Sequence, residues 1–304
     1  MDKKLTKFDI LIVLGFLFAL IVAVGAFFFG LHTGKEQTDL KYRTFIKELT
    51  EERNQDHVAY HQQQLVSFYH TVLLPFREFQ NTWFEHVNTM EIDGESTDSN
   101  ALLRQLVRLA DEQAKEIKPM TIPEVSPLLR KAQADYLKSL TLFSEAARRL
   151  QGQGSGASLV ESMRQDPYVL EAAGYALRAQ EQFYGAIWEW NKANDPQLAN
   201  AQFSGKETLT YSEWRKLNIN AKNLYLAEVL NRINAFIPFY PQDIAARIDD
   251  LDAAGQIGKL KLEDIPATVT MLLSAGAVRN EDFIRLKAKH YRYETMPQLP
   301  FFYE

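Results

Sequence analysis

His57 and His61 stand one helical turn apart with Glu52 and Asp56 close by, a spacing that can present two imidazoles to one metal ion. The frame is not His-Glu-x-x-His, and no third ligand can be identified. His61 also falls on the stripe of Val58, Leu65 and Phe68, where a packed interface histidine serves equally well. None of the six histidines has glutamate three residues before it, so the Glu-x-x-His pairs of di-iron bundles are missing. The expectation is no resident metal or cofactor, with His57 and His61 as weak candidates for a zinc or nickel titration.

The remaining motifs fail on specific residues. Asp250, Asp252, Gly255 and Ile257 match positions of a calcium loop, but Ala254 and Lys261 stand where oxygen ligands are required. A lysine ammonium in a coordination sphere repels the cation. Ser204-Gly-Lys206 lacks the earlier glycine of a phosphate loop, which is Asn200, and places Glu207 where a magnesium-binding hydroxyl belongs. Gly152-Gln-Gly-Ser-Gly156 follows a helical pattern and reads as a linker, while Ser155 lacks a Gly-x-Ser-x-Gly frame. No catalytic residue is expected.

Composition narrows the classes further. The net charge is −5 and no basic stripe is evident, which argues against nucleic acid as a partner. Cysteine is absent, removing disulfides, thiolate sites and an acylated cysteine. No Asn heads an Asn-x-Ser/Thr sequon, which fits a bacterial envelope better than a eukaryotic secretory route.

The dominant element is the run at residues 10–31, apolar throughout and without a polar face. At about 1.5 Å per residue it matches the roughly 30 Å hydrocarbon core of a bilayer. It is longer than the apolar stretch of a cleaved signal, about 7–15 residues. A retained signal anchor is the expectation. Lys3, Lys4 and Lys7 before it favour a short cytoplasmic tail and a large extracytoplasmic domain, although Lys35, Lys41, Arg43 and Lys47 follow closely. Gly15, Ala19 and Ala23 have the small-xxx-small spacing that permits close helix pairing, hence a homodimer through the membrane.

Beyond the anchor the pattern is all-α, a helical bundle without clear strands. The expected order is a tail at 1–9, the anchor at 10–31, and a stalk with a first bundle helix at 32–97. A helical bundle at 98–193 and a C-terminal helical subdomain at 194–304 follow. Pro75 should kink or split the first run, and residues 91–99 form a loop. A helix follows over 100–118. Ser126 and Asp166 each precede a proline and should cap helices ending near 150 and 193. Thr210 and Glu213 form a capping box before a helix reaching about Phe236. Ile237-Pro-Phe-Tyr-Pro241 is too proline-broken for a helix, and short helices over 242–254, 262–275 and 280–291 close the chain, with Gly255 and Gly276 at helix C-termini.

Aromatic residues crowd Phe183, Tyr184, Trp188 and Trp190, the Phe236–Tyr240 region, and the tail ending Phe301, Phe302, Tyr303. Most belong in a core. The proline-stiffened tail either docks on its own domain or offers Phe301, Phe302 and Tyr303 to a partner. The functional expectation is a single-pass, membrane-anchored scaffold or protein-interaction module of the cell envelope. A ligand-sensing bundle acting through a partner, or an enzyme without a local motif, are the alternatives.

Overall fold

The computed structural model describes residues 60–199, 201, 205 and 207–303, and every regular element among them is helical, as the periodicity requires. Residues 10–31, with Gly15, Ala19 and Ala23, and also His57, lie outside the described residues. Among the described helices none is long and apolar enough to cross a membrane.

Helix α1 (Gln62–Phe68) runs into α2 (Leu74–Asp93) through a π-helical turn at Tyr69–Leu73. Pro75 has no N–H for the carbonyl four residues back, and its ring crowds that turn. Widening the turn accommodates both defects, so the helical run continues past the proline. A 3₁₀ turn, Gly94–Ser96, ends it, and the loop expected over 91–99 is correspondingly shorter. Asp98 caps α3 (Ser99–Ile117) by accepting the Ala101 N–H at 3.0 Å.

Ser126 does precede α4 (Pro127–Leu150), but its hydroxyl is not the cap the sequence suggests. It donates to Gln64 Oε1 at 2.6 Å and accepts the Tyr60 N–H at 3.3 Å. The fully buried hydroxyl thus joins the start of α1 to the start of α4. Helix α5 (Gly156–Gln165) is unforeseen, a short amphipath whose Leu159, Val160 and Met163 are buried beside α2. Asp166 caps α6 (Pro167–Asn194) as expected, taking the Tyr168 and Val169 N–H groups at 2.8 and 3.2 Å.

The capping box at Thr210 and Glu213 forms, yet the helix it opens, α7 (Tyr211–Trp214), lasts one turn. The single helix expected to reach Phe236 is corrected to two. Asn218 starts α8 (Ile219–Arg232) by capping the Ala221 N–H at 3.0 Å. Asn234 then ends it from the left-handed region, φ 51°, with the Ala235 N–H returning to the Leu230 carbonyl at 2.9 Å. The chain finishes with α9 (Pro241–Ala253), α10 (Gln256–Lys259), α11 (Ile265–Ser274) and α12 (Asp282–His290). Gly255 and Gly276 occupy left-handed positions at helix ends, with φ of 63° and 57°.

Helix α4 packs lengthwise against α3 and α6; α8 sits against α6 and α9, and α9 against α12. One apolar core passes through all of them. Phe143 of α4 is its aromatic hub, fully buried, with ring centroids 5.2 Å from Phe79, 4.6 Å from Trp83 and 5.4 Å from Phe236. Phe143→Ala should therefore cost about 3–5 kcal/mol, read as a lowered unfolding midpoint. Leu170→Ala, on the exposed face of α6, should stay within about 0.5 kcal/mol of the parent.

Candidate functional site

Arg77 sits where the pattern of α2 calls for an apolar side chain. Leu73, Arg77, Gln80 and Phe84 follow one helical face at i, i+4, i+7 and i+11, and that face turns inward. Arg77 is only 5% exposed and Gln80 4%. Among the described residues no carboxylate pairs with the guanidinium within 4.0 Å, and an arginine side chain stays charged in proteins. Burying such a charge is costly unless its N–H groups are met.

The proline-broken segment after α8 meets them. Pro238 and Pro241 keep it from coiling, so its carbonyls have no helical donors. Arg77 Nη2 donates to the Pro238 carbonyl at 2.7 Å, and Gln80 Nε2 to the Ile237 carbonyl at 2.6 Å. Arg77 Nη1 donates to Gln80 Oε1 at 3.0 Å. The Tyr240 ring covers the guanidinium, with Cζ 4.0 Å from its centroid. Arg77 Nε has no protein acceptor, and neither does the buried Nε2 of Gln180.

These side chains line a small cavity with Tyr136 and Tyr184. About 10 Å³ within it can hold the centre of a water-sized sphere, room for about one water. Tyr184 O–H donates to Gln242 Oε1 at 2.6 Å. Burial raises the phenols of Tyr136, Tyr184 and Tyr240 above the ordinary tyrosine range, so all three keep their protons. The nearby Asp243 spends both oxygens on backbone, accepting the Tyr240 and Phe283 N–H groups at 3.0 Å each.

The tail forms the outer wall of this region. Phe301 stacks on the Tyr240 ring at 4.9 Å and also meets Tyr69, while Phe302 is fully buried against Phe283. The packing alternative is thus what Phe301 and Phe302 adopt in this fold. Tyr303 remains half exposed, with Lys287 Nζ 3.8 Å from its ring centroid and donating to the Phe302 carbonyl at 2.8 Å.

A second buried cation is solved differently. Lys222 of α8 donates to Asp249 Oδ2 at 2.8 Å, and that carboxylate also accepts Tyr291 O–H at 2.5 Å and Trp214 Nε1–H at 2.6 Å. Lysine, aspartate and tyrosine together are types that move protons, but here each is tied to another and pins α7, α8 and α9 to the end of α12. The open recess of about 400 Å³ nearby is lined by Ala288, Lys289, His290, Arg292, Tyr293 and Glu294, not by Lys222.

His61 occupies the N-cap position of α1 in extended backbone, ahead of the first helical residue, and its Nε2 is buried without a partner. Among the described residues no group of three or more His, Asp or Glu side chains could hold a metal ion. Asp250 and Asp252 lie on α9, paired with Lys289 at 2.6 Å and Arg215 at 2.6 Å, so they do not form a loop around a cation.

Sequence reasoning passed over Arg77, Gln80 and Gln180. The available signal was a cation and an amide on an inward-facing stripe. It also passed over residues 283–293, which hold Arg285, Lys287, Lys289, His290 and Arg292 without an acidic residue between them. Tyr293 in this run is 90% exposed, with Arg292 Cζ 5.7 Å from its ring centroid. No protein-family model, curated protein or solved structure matches this chain.

Two buried carboxyls set the pH response. Burial lifts Asp243 to about 6, and burial reinforced by Glu181 lifts Glu228 to about 7. Each holds its proton more tightly folded than unfolded, so the stabilisation is present in acid and fades as pH rises through the folded value. Asp250 and Asp252, held low by Lys289 and Arg215, lose their contribution only below the ordinary aspartate range. Stability should fall by on the order of 1–3 kcal/mol between about pH 5 and 7.5, as followed by thermal unfolding. Glu228→Gln should flatten the upper part of that slope.

Proposed function

We propose that this chain is a single-pass, membrane-anchored helical interaction module of the bacterial cell envelope, with its helical domain on the extracytoplasmic side. The apolar run at residues 10–31 supports the anchor and the lysines before it support the orientation. The observation that carries the interaction reading is the surface around Tyr293. An aromatic ring 90% exposed beside Arg292, with half-exposed Tyr303 and the Lys287 and Lys289 side chains in the same stretch, has the composition of a binding hot spot. Tyrosine supplies rigid contact area and arginine supplies bidentate donors, so the fitting partner is a protein with an acidic face.

A photo-crosslinking residue in place of Tyr293, in the full chain in intact membranes, should give one discrete adduct. Arg292→Glu in the same chain should reduce it at least several-fold by reversing the charge. An adduct pattern no different from that of a crosslinker at exposed Ile92 would reject the reading.

Pairing of the anchors through Gly15, Ala19 and Ala23 belongs to the same proposal, because small residues let two backbones approach closely. Gly15→Ile combined with Ala19→Ile should abolish a membrane two-hybrid signal between two copies. An unchanged signal would remove the homodimer from the proposal.

A further inference from the structure

We infer that the cavity beside Arg77 is a binding site for a single halide-sized anion, chloride being the abundant one, held by the Nε–H of Arg77 and the side-chain amide of Gln180. This is independent of the surface at Tyr293 and goes beyond the interaction reading.

The sign of the ligand follows from what lines the cavity. Arg77 is 95% removed from solvent by its 5% exposure, carries a full positive charge, and among the described residues has no carboxylate within ion-pair distance, the nearby Asp243 acting on it only from farther off. Its Nε–H and the Gln180 Nε2–H group have no acceptor among the described protein atoms. The acceptors nearby are already engaged, since Gln80 Oε1 and the Pro238 and Ile237 carbonyls take N–H groups from Arg77 and Gln80. Both oxygens of Asp243 are engaged by backbone. The phenols of Tyr136 and Tyr240 keep their protons, so neither brings a negative oxygen to the same space, and the Tyr240 oxygen is already engaged by Arg77. A site rich in donors and poor in free acceptors repels a cation and selects an anion.

Size limits which anion. The cavity admits a water-sized centre over only about 10 Å³, which suits a single atom and excludes a phosphate or the carboxylate of an organic ligand. A water oxygen could accept from both N–H groups, yet it would add no negative charge beside the guanidinium in a low-dielectric interior. A monovalent halide does both.

The test uses the full chain, purified and exchanged into chloride-free sodium gluconate. Its melting temperature is followed while chloride replaces gluconate at constant ionic strength. A ligand that binds only the folded state raises the midpoint in a saturable manner. Wild type should show that rise, and Gln180→Leu should need roughly tenfold more chloride for half of it, as loss of one charge-assisted donor implies. Arg77→Met should lose the chloride response altogether; it also releases the Pro238 carbonyl, so Gln180→Leu decides the matter if that variant does not fold. The inference is overturned if wild type shows no saturable chloride-specific rise, as expected for a water alone. It is equally overturned if Gln180→Leu titrates like wild type, because the chloride would then sit elsewhere.

Discussion

The burial of the Arg77 guanidinium governs the centre of this molecule. A charge that cannot be neutralised and has no acid in direct contact must be met by dipoles, rings and hydrogen-bond acceptors held in place. Those acceptors are the carbonyls of Ile237 and Pro238, which themselves need donors because two prolines keep their segment from coiling. Each side solves the other's deficit. The arrangement also explains why Gln80 is buried on α2 beside it: it donates to one carbonyl while accepting from Arg77. From this clamp follow the position of Tyr240, which roofs the guanidinium, and the start of α9 one residue later. The stack of Phe301 on Tyr240 extends the dependence to the C-terminal tail.

Lys222 shows the contrasting solution within the same fold. Its ammonium has a dedicated carboxylate, and Asp249 is oriented by Trp214 and Tyr291 so that neither oxygen is left bare. A pair satisfied in this way fixes helices relative to one another and leaves no residual field for a ligand. Arg77 differs because the described groups that touch it are neutral, Asp243 acting on it only from beyond contact distance. Burial alone therefore does not distinguish a structural cation from a binding one; the character of the partners does.

Much of the helical order was readable in advance because it rests on local chemistry. The cap at Asp166, the box at Thr210 and Glu213, and the left-handed glycines 255 and 276 each depend on residues within a turn of one another. The failures have a common physical origin in tertiary competition. Ser126 has the sequence context of a cap, yet its hydroxyl is claimed by Gln64 and Tyr60 from more than sixty residues away. Pro75 should interrupt a helix, but a π turn absorbs the missing donor where packing favours continuity. The run from Thr210 toward Phe236 breaks because Asn218 offers a second cap, and a polar residue inside an amphipathic run does not announce that role. The Arg77 site was invisible for the same reason. Its acceptors lie about 160 positions along the chain, beyond the reach of any spacing argument.

The tail illustrates how far this coupling extends. Phe301 touches Tyr69 in the π turn, Tyr240 over the guanidinium, and Phe183 and Tyr184 on α6. The Gln298 N–H meanwhile bonds Gln62 Oε1 at 3.1 Å, at the start of α1. The segment around Phe301 therefore closes over the widened turn that Pro75 imposes and backs the ring that shields Arg77. Tyr303 lies on the outer side of that closure, in contact with Lys287 of α12, the helix that leads into Arg292 and Tyr293. The rings of Phe302, Phe301 and Tyr240 form one continuous run of contacts from the C-terminal segment to the roof of the buried charge. Dense aromatic packing carries displacement poorly as a continuous deformation and well as a discrete repacking. Displacing Phe301 would therefore require Tyr69, Phe183, Tyr184 and Tyr240 to repack together, which ties the roof over Arg77 to the tail.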